Sequence, residues 1–177
     1  MYGARPTMGC ELWRQIHLTM HFLQNLGIVL LTTAVMEAVA WSSHRYLMHG
    51  PGWGWHASHH ERRQGVLEKN DLFAVVFAGL AIALIWFGTN GLWPLQWVGA
   101  GMTLYGLLYV VVHDGMVHRR WSVGGTPRRG YLRRLYQAHL LHHACTSKEG
   151  AVLFGFLLSP TKRQFETAVR SLQERKR

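Results

Sequence analysis

Cysteines and acidic residues are both scarce in this chain of 177 residues. Its two cysteines, Cys10 and Cys145, lie far apart, which excludes a disulfide framework and a zinc-ribbon spacing. Nine acidic residues face 19 basic ones, and charged residues make up only 16% of the chain. An ordinary soluble domain has about a quarter of its residues charged. A disordered basic tail is excluded as well, because 49% of the residues are hydrophobic.

The hydrophobic residues are concentrated in three long runs. Residues 22–41, 71–88 and 93–112 each approach the ~20 helical residues that cross a bilayer core of about 30 Å. Only the polar turn 89–92 separates the second run from the third, which favours a helical hairpin. A buried helix pair in a soluble protein is the alternative, but neither helix has a polar face to turn to water. The sequence therefore predicts an all-α integral membrane helical bundle with three spans.

A fourth apolar run, residues 151–158, is too short to cross a membrane. It is compatible with a short re-entrant helix, an interfacial helix or a plug over the region that follows the spans. Residues 161–177 have the pattern of a solvated basic helix. We expect a single domain over residues 1–177, in which the N-terminal segment 1–21 carries no motif.

The distribution of lysine and arginine predicts the orientation. Two basic residues precede the first span, none lies in the hairpin turn, four lie in residues 42–70 and thirteen follow residue 112. The positive-inside rule places the last two segments in the cytoplasm, which implies the inner (cytoplasmic) membrane. We call residues 42–70 and 113–160 the cap. The basic charge suits anionic lipid headgroups and an acidic protein partner. A nucleic-acid role is less favoured, because no recognition motif accompanies the charge.

Histidine is the unusual component of the chain. Ten of its twelve histidines form four short clusters, in the order HX4H, HX2HH, HX4H, HX2HH. Each pair of clusters follows a predicted span, so all ten should lie at one membrane surface. We exclude His17 and His21, which should lie near the opposite surface. The ten residues are His44, His49, His56, His59, His60, His113, His118, His139, His142 and His143.

The chemistry of imidazole makes these clusters candidate metal ligands. Neutral imidazole binds iron, copper, zinc and nickel well. On a helix, the HX2HH pattern puts three histidines on one face, so His139, His142 and His143 are expected to converge on one centre. In HX4H the two residues are about 140° apart on an ideal α-helix. A helix end, a kink or two ions served from one helix would resolve this, and residues 50–52, Gly-Pro-Gly, favour a break there.

Ten imidazoles exceed what one ion can use, since zinc takes about four ligands and an octahedral ion about six. We therefore expect two ions. The clusters lack the Glu-x-x-His pairs of soluble di-iron bundles and the His-Glu-x-x-His of zinc proteases. Interfacial anchoring, axial haem ligation and metal transport are weaker alternatives. Haem needs fewer histidines, and a transporter needs ligands along the spans, which are nearly free of them.

Two acidic residues are candidates to orient the ligands from behind. Glu37 lies within the first predicted span, where a charge is costly and a function is the default expectation. It precedes His44 by two helical turns, so we expect it to accept a hydrogen bond from a ligand imidazole. The alternative is a carboxyl group that only reaches the headgroups. Asp114, next to His113, is a second candidate, and Asp71 is interpreted as an N-cap or dipole partner at a helix start.

These histidines, in this order and membrane setting, resemble those of the fatty acid hydroxylase superfamily of histidine-rich membrane di-iron enzymes. The resemblance runs from about residue 36 to residue 160. Within the superfamily it is nearest to the bacterial β-carotene hydroxylases, and residues 93–102 and 148–150 carry that narrower likeness. The generic histidine clusters specify only the superfamily.

The resemblance implies an oxygen-dependent monooxygenase with two non-haem iron ions held by the ten histidines. It implies O2 as oxidant and electrons from a ferredoxin-type donor with its reductase. Carbon 3 of the β-ionone rings of β-carotene would be hydroxylated, giving cryptoxanthin and zeaxanthin. Some relatives also accept ketolated rings and give astaxanthin. Zinc could replace iron in a purified sample, because it suits the same imidazole cage.

The physical chemistry agrees with this class. An unactivated C–H bond needs a strong metal–oxygen oxidant, for which the protein supplies position and dryness. A carotenoid dissolves only in the bilayer, and a site at the cytoplasmic end of the spans can receive it from lipid. Candidates for an apolar substrate mouth are Trp53, Trp55, Phe154 and Phe156. The tryptophan pair fits an interfacial aromatic belt equally well.

Two other functions remain open from the sequence. The first is a fatty acyl or sterol hydroxylase or desaturase with the same histidine clusters. The second is a non-catalytic membrane metal-binding or transport protein, which would bind metal without consuming oxygen.

Overall fold

The computed structural model describes residues 8–61, 65–121 and 124–175. Within these ranges all regular secondary structure is helical and there is no β-strand, as the sequence predicts. The described residues form six α-helices: α1 (Met8–Ser42), α2 (Trp53–His60), α3 (Asp71–Thr89), α4 (Leu95–Tyr109), α5 (Gly130–His143) and α6 (Lys162–Glu174). Two π-helical segments, Ser43–Met48 and Val110–Val117, continue α1 and α4.

Three helices of the described chain are long and apolar enough to cross a membrane, which confirms the expected number of spans. They cover Glu11–Met48, Asp71–Thr89 and Leu95–Val117. The second and third agree with the prediction within a few residues. The first helix starts at Met8, well before the predicted start of the span at residue 22, and residues 8–21 contain no proline that would break it. The molecule is thus built as a membrane protein.

Helix α4 is the centre of the three-helix arrangement and uses glycine to approach both neighbours. A Cβ added at Gly99 would lie 2.7 Å from the Ala81 carbonyl oxygen in α3. A Cβ added at Gly101 would lie 2.6 Å from Thr32 Cβ and 2.7 Å from the Val29 carbonyl oxygen in α1. Small residues of this kind let membrane helices pack backbone to backbone. Close packing by α4 therefore fixes the position of both other spans.

The π-helical segments explain how the two histidines of each HX4H cluster can face the same side of a helix. A π-helix closes hydrogen bonds between residues five apart. Here the His49 amide donates to the His44 carbonyl oxygen at 3.0 Å, and the His118 amide to that of His113 at 2.9 Å. The widened turn brings both members of each pair to one side, which an α-helix would separate by about 140°. The break predicted after His49 is present as a turn into α2.

The apolar run 151–158 is not a helix, so the two helical alternatives for it, a short re-entrant helix and an interfacial helix, are wrong. It is an irregular segment packed against the histidine end of the spans, which matches the plug alternative. The basic helix predicted after it is present as α6. Thr161 caps it, with a reciprocal hydrogen bond to Gln164. Residues 176–177 of that prediction lie outside the described chain.

Candidate metal centre

The structure brings the histidines of all four clusters together at one end of the spans. Their ring nitrogens form two groups, in each of which the candidate ligand atoms lie within 4.8 Å of one another. The first group is His44, His49, His56, His60 and His142, and the second is His59, His113, His118 and His139. His143 lies beside the second group, with its Nε2 atom 2.8 Å from Nε2 of His139. Each group thus gathers residues from three of the four clusters.

The HX2HH clusters are divided between the groups, so the expected convergence of His139, His142 and His143 on one centre is wrong. In α5 the i and i+4 histidines go to the second group, and His142 at i+3 goes to the first. In α2 the assignment is reversed, and the i+3 residue, His59, goes to the second group. The cause is the helix phase, because positions i+3 and i+4 differ by about 100°. The two groups therefore have the same composition, and the repeated sequence pattern produces a pseudo-symmetric pair of histidine groups.

The imidazoles of each group face one another through Nε2. The Nε2–Nε2 distances are 3.1 Å for His44–His56, 3.1 Å for His56–His60, 3.2 Å for His49–His142, 3.1 Å for His59–His113 and 2.9 Å for His118–His139. Adjacent nitrogen ligands about 2.1 Å from one ion lie about 3 Å apart when they subtend a right angle. The converging nitrogens therefore fit a metal ion in each group, and their chemistry suits iron or zinc.

Every imidazole of the first group is held from behind through Nδ1. Four Nδ1 atoms lie 2.8–3.0 Å from backbone carbonyl oxygens of the segment that follows α5. Those oxygens belong to Cys145, Lys148, Val152 and Phe154. The fifth partner is the side-chain oxygen of Asn70, 2.7 Å from His56 Nδ1. Because these acceptors require a proton on Nδ1, the Nε2 lone pairs are left to point inward as ligands.

The second group has carboxylate partners. Asp114 Oδ1 lies 2.7 Å from His113 Nδ1, the contact predicted for an orienting residue. Glu68 Oε2 lies 3.2 Å from His59 Nδ1. The buried Arg120 joins these carboxylates, since it pairs with Glu68, Asp114 and Asp71 at 3.3, 3.5 and 2.7 Å. Carboxylate-backed imidazoles are more basic ligands, so the two groups differ electrostatically.

Sequence reasoning missed Glu68, Asn70 and Arg120. Glu68 and Asn70 lie just before α3, eight or more residues after the second cluster, and nothing in the local pattern marks them. Asp71 is the first residue of α3, which fits the expected dipole partner, but the N-cap position belongs to Asn70. The Asp71 carboxylate accepts from the Glu68 amide at 3.0 Å at the start of α3, and it pairs with Arg120 as well.

Burial keeps these imidazoles neutral. It lowers the pKa of His56 to about 3 and that of His60 to about 4. The pKa values of His59, His139 and His142 are lowered well below the usual value, first by burial and then by neighbouring imidazoles. Neutral imidazole is the metal-binding form, so the site is prepared for cations at neutral pH.

Glu37 does not take the predicted role, because its hydrogen bonds in the described chain go elsewhere than to an imidazole. Its carboxylate accepts from the amides of Phe156, Leu157 and Leu158 at 2.9–3.0 Å and from the Tyr105 hydroxyl at 2.8 Å. Glu37 therefore anchors the irregular segment after α5. That segment carries the carbonyl groups of Val152 and Phe154, so the carboxylate supports the first group indirectly.

A cavity of about 410 Å³ lies among α1, α3 and α4. Its walls are mainly apolar, and Asn70, Asp114 and Tyr109 line its polar end. The Tyr109 ring stacks on His113 at 4.3 Å, and the Phe156 ring, also in the wall, stacks on His44 at 4.8 Å. These two rings separate the cavity from the two histidine groups.

Of the four residues expected to form a substrate mouth, Phe156 alone lines this cavity. The other three do not line the cavity and instead contact residues next to it. Trp53 lies 5.2 Å from the His49 ring, and Phe154 lies 5.2 Å from the His142 ring, so both cover the first group. Trp55 packs at 5.3 Å against Phe73, a lining residue, and is 43% exposed. Trp53 and Phe154 are thus neighbours of the histidines instead of the cavity, because both lie close to the clusters in the sequence or pack over them.

Comparison with known proteins agrees with this geometry. The family model described as Fatty acid hydroxylase matches residues 29–167. The chain is 56% identical over 151 residues to a beta-carotene hydroxylase from Pantoea ananas, covering 85% of this chain and 86% of the relative. It is 64% identical over 135 residues to one from Pseudescherichia vulneris, covering 76% and 77%.

A plant protein is also similar. Beta-carotene 3-hydroxylase 1, chloroplastic, from Arabidopsis thaliana is 45% identical over 129 residues, which cover 71% of this chain and 41% of the plant protein. No solved structure matches the chain significantly. The matched region contains both histidine groups, the second and third spans, and the part of the first span that follows residue 28. The chain belongs to the fatty acid hydroxylase family.

Proposed function

We propose that this protein is a membrane β-carotene 3-hydroxylase with two non-haem iron ions. The observation that carries the proposal is the apolar cavity within the spans, which ends beside two groups of converging imidazoles. The names of the bacterial relatives support the substrate. The products would be cryptoxanthin and then zeaxanthin.

The ten histidines would hold the irons, five in each group. When bound, the irons supply reductive activation of O2, in which R–H, O2, two electrons and two protons give R–OH and water. The protein's own contributions are position and dryness. Nδ1 hydrogen bonds fix the imidazoles, and the mainly apolar cavity excludes water from the ring that is to be hydroxylated.

The electrons would come from a ferredoxin-type donor with its reductase. The cap carries most of the chain's basic charge, which suits an acidic carrier and the cytoplasmic face of the inner membrane. The hydrocarbon substrate would reach the cavity from the bilayer, where it dissolves.

The test is a pigment chromatogram of bacteria that already make β-carotene. His142 has no exposed surface and belongs to the first group, whereas His17 on α1 is exposed and belongs to neither. We expect cryptoxanthin and zeaxanthin from the wild type and from His17→Ala, and loss of at least nine-tenths of both products in His142→Ala. Protein levels are matched by immunoblot.

Other results would refute the proposal in distinct ways. Unchanged pigment with iron-loaded protein in the membrane would point to an acyl or sterol substrate. Iron binding without any oxygen consumption would point to a non-catalytic metal protein. Full activity of His142→Ala would reject the assignment of that residue as a ligand.

A further inference from the structure

The cavity reaches the outer surface of the helix bundle between α3 and α4. Several residues both line it and are exposed: Ala74, Ala78 and Ile82 on α3, Thr103 and Leu107 on α4, and Val110 at the start of the π-helical segment that continues α4. Ile82 is 67% exposed and Leu107 is 59% exposed. A side chain that lines a cavity and is also more than half exposed lies at the rim of an opening. The cavity is therefore open sideways, at the depth of the spans.

The sequence explains why the gap lies at this end of the helix pair. Near the hairpin turn, α3 and α4 are in backbone contact, since a Cβ at Gly99 would lie 2.7 Å from the Ala81 carbonyl oxygen. Toward the histidines the facing residues are small. Ala74 and Ala78 line the α3 side, and a Cβ added at Gly106 on α4 would meet nothing within 4 Å. Because these small side chains do not fill the space between α3 and α4, a gap remains there.

The rim suits a hydrocarbon. None of its six residues is charged, and the one hydroxyl group, on Thr103, already donates to the Gly99 carbonyl oxygen at 2.9 Å. The opening thus offers no unpaired side-chain donor to a polar headgroup. Inside, the path ends at the aromatic wall of Tyr109 and Phe156, directly against the imidazoles of His113 and His44.

We propose that the gap between α3 and α4 is a lateral portal through which one end ring of a carotenoid enters from the lipid. The rest of the long molecule stays in the gap and in the bilayer. This rests on the proposed function. The new element is the route of entry, which Gly106 and Ala78 keep open because their small size leaves room between the two helices.

The chain offers a matched pair of glycines for the test. Gly106 and Gly79 both lie in spans, and a Cβ at either would meet nothing within 4 Å, but Gly106 alone of the two lines the cavity. Glycine to leucine favours both helices by a similar amount, about 0.8 kcal/mol. Any difference in β-carotene binding or turnover between Gly106→Leu and Gly79→Leu is therefore due to filling of the cavity.

The experiment uses iron-loaded protein in lipid nanodiscs and has two readouts. The first is retention of β-carotene absorbance under oxygen-free conditions. The second is hydroxylated product after oxygen and reductant are added. We expect at least a tenfold loss of both in Gly106→Leu, with unchanged iron content, and wild-type values in Gly79→Leu.

Equal β-carotene retention and equal product formation in Gly106→Leu and Gly79→Leu would overturn the portal proposal. A wild type that neither retains nor hydroxylates β-carotene would instead overturn the proposed function. If Gly106→Leu loses iron or fails to accumulate, Ala78→Leu fills the opposite wall, and the same tenfold loss is required of it. Bound phospholipid that excess β-carotene cannot displace would make an acyl chain the occupant and also reject the proposal.

Discussion

Replacing Glu37 by glutamine should loosen the segment that orients the first histidine group. The carboxylate accepts hydrogen bonds from three successive amides, Phe156 to Leu158, and from Tyr105, all at 2.8–3.0 Å. Glutamine puts a donor group in place of one acceptor oxygen and removes the charge. Hydrogen bonds to charged groups contribute about 1.5–3 kcal/mol each, so the loss of one or two costs roughly 1.5–6 kcal/mol of anchoring.

The consequence should be measurable at the metal. The anchored segment provides the Phe154 carbonyl oxygen that lies 3.0 Å from His44 Nδ1. Loss of such an outer partner typically lowers metal affinity about 10- to 100-fold. We therefore expect Glu37→Gln to release iron to a competing chelator at 10- to 100-fold lower chelator activity than the wild type. The assay is elemental analysis of purified protein after titration with the chelator.

Two further variants separate this explanation from general damage to α1. Glu11 lies in the same helix, and its side chain is 42% exposed and pairs with Arg14 at 3.2 Å. Glu11→Gln should keep wild-type affinity. Tyr105→Phe removes one of the four donors and should give a smaller loss than Glu37→Gln. Wild-type iron affinity in Glu37→Gln would refute the anchoring role.

Two more predictions concern packing and pH. Gly101→Ala would place a methyl group 2.6 Å from Thr32 Cβ, so we expect about 1–3 kcal/mol of destabilisation and a lower thermal midpoint in detergent, whereas Gly79→Ala should cause no loss. An unchanged midpoint would contradict the close contact of α1 and α4. Burial lowers the pKa of His56 to about 3 and that of His60 to about 4. Between pH ~6.5 and pH ~4 only the unfolded chain protonates them, so in this window the metal-free protein should lose about 1.4 kcal/mol of stability per pH unit of acidification for each such histidine. Denaturant titrations of metal-free protein at pH 7 and pH 5 that give equal unfolding free energies would reject this reasoning.

The two histidine groups show how a repeated pattern is completed by different surroundings. Each group takes one HX4H pair, one i, i+4 pair and one single histidine. The first group is oriented by backbone carbonyls and an amide, and the second has the carboxylates of Glu68 and Asp114. Because Arg120 links those carboxylates, the second group lies in a charged network that the first group lacks among its Nδ1 partners.

Some of this could be predicted from the sequence because the signals are local. The length of an apolar run determines whether a helix can span a membrane, so the three spans were predictable. The side-chain type determines ligand chemistry, so the ten histidines were predictable as candidate ligands. Asp114 was recognisable because it is adjacent to His113 in the chain.

The rest depended on contacts between distant parts of the chain. The assignment of each histidine to a group follows from helix phase and from π-helical turns, which residue spacing alone does not specify. Three hydrogen-bond partners of Glu37 are backbone amides about 120 residues away, which any residue type except proline can provide. The cavity exists because α3 and α4 pack closely at Gly99 and diverge toward Gly106. Composition and spacing determined the chemistry available to this protein, while tertiary packing determined which atoms meet. The physical reason is that every residue type offers backbone groups, and small residues enclose a cavity only where the packing of their helices brings them face to face.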